Sequence, residues 1–285
     1  MKKFGILVAM LLTAALLFTG CAQESFDASS SIATVSREDG SGTRGAFVEL
    51  MGLEDEEGND LTDPNADIAG STSVMMTNVA GNPYAIGYIS LGSLDDTVKA
   101  ITVDGVEASV AEIEAGNYKV SRPFNIAVKQ DSLSEVAQDF VNYILSTEGQ
   151  AVIEEEGYIP LSETTAFEGS QPSGDVRVSG SSSVSPVMEK LIEAYEAVNP
   201  NANIQLQESD STTGMNDAIE DRSDIGMASR DLKDSELESG LTGITIATDG
   251  IAVIVNNENP VEGLTSEQIK QIFTGEVTTW ESFVS

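Results

Sequence analysis

Three times along this chain of 285 residues an apolar run breaks into a turn of Gly and hydroxyl residues and resumes as a helical pattern. The first is Ser31-Ile32-Ala33-Thr34-Val35, an expected strand, followed by Arg37-Glu38-Asp39-Gly40-Ser41-Gly42-Thr43 and a helical run from Gly45. The second joins Val176-Arg177-Val178 to a helix through Gly180-Ser181-Ser182-Ser183, and the third joins Ile204–Gln207 to a helix through Ser209-Asp210-Ser211-Thr212-Thr213-Gly214. A strand that turns through small residues into a helix leaves backbone N–H groups unpaired at the positive end of the helix dipole, which suits an oxyanion. In open α/β sheets such turns lie beyond the carboxyl ends of the strands, where ligands bind. Two readings remain open. The hydroxyls are ordinary N-caps on separate sides of the molecule, or the turns converge and surround one tetrahedral anion, with Arg37 adding a bidentate fork.

The remaining pattern sets the fold class. Helical periodicity is expected over Ser71–Ala80, Glu135–Leu145, Gly149–Glu156, the run carrying Val184, Val187, Met188, Leu191, Tyr195 and Val198, and a last helix from Thr265 with Gln268 completing a capping box. Strands are expected at Ala85–Ser90, Val98–Val103, Phe124–Val128, Asp224–Ser229, Ile244–Ile246 and Gly250–Val255. Strands alternating with helices predict an α/β fold with mostly parallel sheets. Residues 162–174 have linker composition and form the clearest internal seam, and Ala22–Ser30 reads as a polar tether.

Charge narrows the partners. With 47 acidic residues, 14 basic and no His, the net charge is −33, so nucleic acid and anionic lipid surfaces are repelled. An anion must then be held by local dipoles and donors. The lack of His removes most metal sites and nucleophile–base pairs, and neither a metal nor a cofactor is expected. Lys2 and Lys3 precede an apolar run, Ile6–Phe18, too short for a typical membrane span, so the first 21 residues read as a signal peptide. The run ends in Leu17-Phe18-Thr19-Gly20-Cys21, similar to a bacterial lipobox with Phe18 where Leu is usual. Cys21 is the single Cys of the chain, and lipidation there would account for it, ordinary cleavage nearby being the alternative.

A family resemblance rests on Val35–Arg44, Val178-Ser179-Gly180-Ser181-Ser182-Ser183-Val184-Ser185-Pro186, Asp224–Arg230, Gly250–Asn256, Ala85-Ile86-Gly87-Tyr88 and Thr147-Glu148-Gly149-Gln150. In these the chain closely resembles the phosphate-binding lipoproteins of bacterial phosphate-specific ABC transporters, over nearly all of residues 31 to 282. The resemblance implies a two-lobed, type II solute-binding fold, a monomer, lipid-anchored outside the cell membrane, that receives inorganic phosphate and delivers it to permease subunits. It implies further that Arg37, Ser41, Gly42 and Thr43 bind the anion from one lobe, and Ser182, Ser183 and Ser211 from the other, with Asp39 orienting Arg37 by a salt bridge.

Two departures stand out. In the family the Gly180-Ser181-Ser182 segment opens the mature protein, whereas here it follows the Arg37 segment, so the chain reads as a circular permutant joined through residues 162–174. Glu24-Ser25-Phe26 near the start also repeats Glu281-Ser282-Phe283 near the end. The implied lobes are then 31–124 plus 249–285 and 125–248, with crossings near Pro123 and Gly250. Second, the family places an Asp in the cleft to accept a proton from phosphate, and here Ser229-Arg230 occupies that region. Arg230 would favour any anion, and Asp249 or Asp231 could serve as the acceptor instead. Sulfate or molybdate binding and a sensing role are the neighbouring readings. A phosphatase would need metal ligands or an activated nucleophile, and neither Gly-x-Ser-x-Gly nor a P-loop is present.

Overall fold

A computed structural model describes residues 26–284. In chain order, the first half of the molecule contains β1 (Ala33–Arg37), α1 (Gly42–Leu50), β2 (Asp67–Ala69), α2 (Thr72–Ala80), β3 (Ala85–Ser90), β4 (Lys99–Ala100), β5 (Thr102–Val103) and α3 (Val110–Glu114). The chain then crosses on β6 (Ser121–Val128) and builds α4 (Glu135–Ile144), α5 (Thr147–Glu155), β7 (Gly174–Ser181), α6 (Ser185–Val198), β8 (Ala202–Ser209), α7 (Ser211–Ile219), β9 (Ile225–Ala228) and α8 (Asp234–Glu238). It returns on β10 (Thr242–Val255) and ends with β11 (Gly263–Leu264) and α9 (Ser266–Phe273).

The main sheet runs β2-β1-β3-β10-β6-β9-β7-β8. Its outer groups are parallel: β1 with β2 and β3, and β7 with β8 and β9. Its middle is antiparallel, because β10 pairs β3 and β6, and β6 pairs β9. The α/β expectation therefore holds, with the two crossing strands as its antiparallel spine. Two large hydrophobic cores flank this spine. One draws on Val35–Val120 and Ile251–Trp280, the other on Phe124–Ala247. All six residues of β3 are buried, as a central strand covered on both faces requires. In α4, Val136, Ala137, Phe140, Val141 and Ile144 form the buried stripe that its 3.6-residue spacing dictates.

Three expectations change. The runs Ile244–Ile246 and Gly250–Val255 are one strand of 14 residues, β10. The polar residues between them read as a break, yet Thr248 and Asp249 continue the pairing opposite Pro123 and Arg122, past a bulge between Thr245 and Ala247. The tether does not extend to Ser30. Phe26 packs on Tyr84 and edge-on to Trp280, and Ser31 pairs with Thr279. Phe283, from the second Glu-Ser-Phe copy, also stands edge-on to Trp280, so the two ends of the described chain meet at one indole. Finally, residues 162–173 carry no regular element but are pinned down. Thr147 N–H donates to the Thr165 carbonyl (2.8 Å), and Phe167 stands edge-on to Tyr143 (centroids 5.1 Å apart). Cys21 lies outside the described residues.

Candidate anion site

The carboxyl end of β1 is fixed from below by aromatic packing. Tyr88 of β3 stacks on Phe47 of α1 with ring centroids 3.9 Å apart and planes 10° from parallel. Its hydroxyl is hydrogen-bonded to Ser36 Oγ (2.9 Å) and accepts from the Arg37 N–H (3.2 Å). Burial pushes the Tyr88 hydroxyl above its usual pKa, so it stays a neutral donor and acceptor. The strand end is thereby held where the turn begins. Ser41 then caps α1 by accepting the Arg44 N–H, and Gly40 takes a left-handed φ of +88°. A side chain at Gly40 would also strike Asp210 Oδ1, 2.5 Å from the position of its Cβ.

The turns converge. Arg37 is 1% exposed, and its Nη2 reaches across to Ser182 Oγ (2.9 Å) on the other half of the molecule. Thr43 Oγ1 is hydrogen-bonded to Ser183 Oγ (2.8 Å). Gly42 sits against the third turn, since a Cβ there would lie 2.5 Å from Ser211 Oγ and 2.7 Å from Ser229 Oγ. Ser181 Oγ donates to Ser229 Oγ (2.9 Å), and the Ser229 N–H donates to Ser211 Oγ (3.1 Å). The Gly40 carbonyl accepts from both the N–H and the hydroxyl of Thr212, each at 3.1 Å. Ordinary caps on separate sides of a protein would not meet in this way. The two halves are closed on one another around a buried knot of hydroxyls, with the N-termini of α1, α6 and α7 aimed at it.

The geometry corrects three sequence expectations. Asp39 does not orient Arg37: it is exposed and pairs with Arg44 (2.9 Å), while Glu38 takes the Arg37 fork, with Nε and Nη2 each 2.7 Å from a carboxylate oxygen. Strand alternation favours the residue two positions on, but β1 ends at Arg37 and a turn begins, with the Ser41 N–H bonded to the Glu38 carbonyl. Arg230 is forked onto Glu236 at 2.7 and 2.9 Å and touches the third turn only at its rim, where Nη2 donates to Thr212 Oγ1 (3.3 Å). Asp249 is buried, but its partners are elsewhere: Ser90 Oγ (2.9 Å) and Arg122 Nη2 (3.0 Å), its opposite number across β6 and β10. Burial pushes its pKa up, opposed by Arg122 and Ser90. Ser41 is nearby, but its N–H is bonded to the Glu38 carbonyl and its Oγ accepts the Arg44 N–H, so its hydroxyl proton is what it can still offer a ligand.

Sequence reasoning missed Thr72. The N-terminus of α2 enters the knot as a fourth helix end, and Thr72 Oγ1 accepts from Arg37 Nη1 (3.3 Å). Gly70-Ser71-Thr72 follows the same strand–turn–helix rule, but the strand before it, β2, has three residues, two of them exposed, and leaves no visible pattern. Among the described residues no group of three or more His, Cys, Asp or Glu is arranged to hold a metal, and no helix is long and apolar enough to cross a membrane.

Residues 22–148 and 165–284 match the profile of the PBP superfamily domain. The chain belongs to the PBP superfamily. It is 50% identical to the phosphate-binding protein PstS 2 of Streptococcus agalactiae serotype V over 269 residues, 93% of this chain and 92% of the relative. A PstS 2 of Streptococcus pneumoniae serotype 4 is 44% identical over 258 residues, covering 89% of this chain and 88% of its own length. The crystal structure of a phosphate-binding protein of a phosphate ABC transporter from Streptococcus pneumoniae TIGR4 superposes with a TM-score of 0.70 at 43% identity, covering 89% of this chain and 100% of that one. Because these alignments run through nearly the whole of each chain, the order with the Arg37 segment ahead of the Gly180 segment is common to this PBP chain and these relatives.

Proposed function

We propose that the chain captures inorganic phosphate outside the cytoplasm by closing its two halves on the anion, and delivers it to the permease of an ABC transporter. In this reading Arg37, Gly42, Thr43, Ser182, Ser183, Ser211 and Ser229 line the anion, Ser41 contributes its hydroxyl proton, and Asp249 braces the crossing instead of accepting a proton from the ligand. The halves are residues 31–124 with 249–285, and 125–248, hinged where β6 and β10 cross, and a lipid on Cys21 holds the monomer at the membrane.

The observation that carries the reading is the hydrogen bond from a buried guanidinium on one half to a hydroxyl on the other, Arg37 to Ser182. A fixed cation facing helix N-termini stabilises an anion that the strongly negative surface would otherwise repel. Glu38 already balances the Arg37 charge, so most of the attraction must come from hydroxyl and amide dipoles, whose geometry suits a tetrahedral oxyanion. The phosphate-binding names of the similar proteins point to phosphate among such anions.

Calorimetric titration of the purified protein with phosphate, alone and in excess sulfate, tests this. Tight phosphate binding at neutral pH that sulfate leaves unchanged is expected. Equal competition by sulfate would replace phosphate with a general oxyanion as the ligand.

A further inference from the structure

We propose that Thr72 is a direct ligand of the anion, its hydroxyl and backbone N–H together forming a fourth wall of the site; this rests on the phosphate reading above. The two simplest alternative duties of Thr72 are already accounted for. It does not cap α2, because Ser71 Oγ accepts the Val74 N–H and fills that role. Nor does it face solvent, being 5% exposed.

Its bonds instead converge on the point where the two halves meet. The Thr72 N–H, first of the free amide donors at the N-terminus of α2, donates to Ser182 Oγ (3.3 Å), and Arg37 Nη2 donates to the same atom. Two donors, one of them cationic and one at a helix N-terminus, thus hold a single uncharged oxygen. That arrangement favours negative charge, and a seryl oxygen carries none. An anion oxygen placed there would receive both donors, with Ser182 displaced to donate its own proton. Thr72 Oγ1 is equally ready to donate. It accepts from Arg37 Nη1, so its own proton is left for Ser183 Oγ (3.2 Å), Ser182 Oγ (3.4 Å) or a bound oxyanion. Arg37, Thr72, Ser182 and Ser183 therefore make one exchangeable set, in which every hydroxyl can turn from its neighbour to the ligand.

The other role open to Thr72 is that of a rivet between the halves with no ligand contact, and the two roles separate experimentally. Phosphate titration and thermal unfolding, with and without saturating phosphate, would be run on the full chain as wild type, Thr72→Val and Thr72→Ser. Loss of a hydrogen bond to a charged ligand should weaken phosphate binding about tenfold or more in Thr72→Val, whereas Thr72→Ser stays near wild type. The ligand-free melting temperature should hold while the phosphate-induced rise in melting temperature shrinks. If Thr72→Val does not fold, Thr72→Ala supplies the deletion. Wild-type affinity in the deletion variant, or an equal loss in Thr72→Ser, would overturn the proposal. A wild-type protein that takes up no phosphate would instead overturn the reading on which it rests.

Discussion

Arg37 and Arg122 are both almost fully buried, and each is paired with a carboxylate, yet their surroundings differ in kind. Arg37 has spread its donors over Glu38, Thr72 and Ser182, in three separate turns or helix ends, one of them on the opposite half. Arg122 gives Nε and Nη2 to Asp249, directly opposite on the paired strand, and its buried Nη1 has no partner. The first cation keeps Glu38 and Thr72 on its own half and has one partner, Ser182, across the seam between the halves. The second is held by a neighbour that the sheet register fixes in place. A buried guanidinium with a donor left over to reach across the seam suits recognition, and one whose carboxylate is fixed by sheet register suits rigidity. Burial, helped by the like charge of Arg37, drives the Arg122 guanidinium below its usual pKa, with Asp249 opposing that fall.

The largest effect that would test this contrast is on stability. Asp249→Ala leaves Arg122 buried and uncompensated and should cost about 3–5 kcal/mol in denaturant unfolding. A stable variant that had lost phosphate binding instead would move Asp249 into the site and dissolve the distinction. Arg37→Ala should show the opposite profile, with phosphate affinity reduced by about 2–5 kcal/mol in calorimetry and a small change in unfolding, because Glu38 keeps partial access to water. Gly42→Ala probes closure: its methyl must displace Ser211 and Ser229 only when the halves meet, so affinity should fall by about 1–3 kcal/mol while the ligand-free melting temperature holds.

Smallest is Glu236→Gln, which tests a third pairing. Burial pushes Glu236 up, but the Arg230 fork and the Lys233 N–H outweigh it and hold the carboxyl below its usual 4.5. The stabilisation is then present above that value and fades as pH falls through the lowered one. A wild type about 1 kcal/mol more stable than the variant at pH 7, with the gap closing as pH falls through the lowered pKa, is the expected melting behaviour.

How much of this was legible in the sequence depends on distance along the chain. Each hydroxyl turn announced itself locally beside an apolar run, the family resemblance singled out Thr43, Ser182, Ser183 and Ser211 within those turns, and the capping box at Thr265 and Gln268 formed as its spacing required. What failed were choices between neighbours and pairings across long gaps. Glu38 and Asp39 are adjacent carboxylates, and the end of β1 decides between them. Asp249 finds Arg122 127 residues away through strand register, which no local pattern encodes. Thr72 was hidden because its supporting strand is too short to show alternation, although its helix was expected almost to the residue.

The packing of Phe26 and Phe283 around Trp280 has a mechanical consequence. A pull on Phe26 loads the half that contains Trp280, and the half carrying Ser182 and Ser211 feels it through β6 and β10 and through the hydroxyl knot. Those strands are zipped by an antiparallel ladder from Thr242 to Gly250, and a load along their length strains its bonds in shear, several at once. The two halves are thus joined by a paired ladder and not by a loose thread.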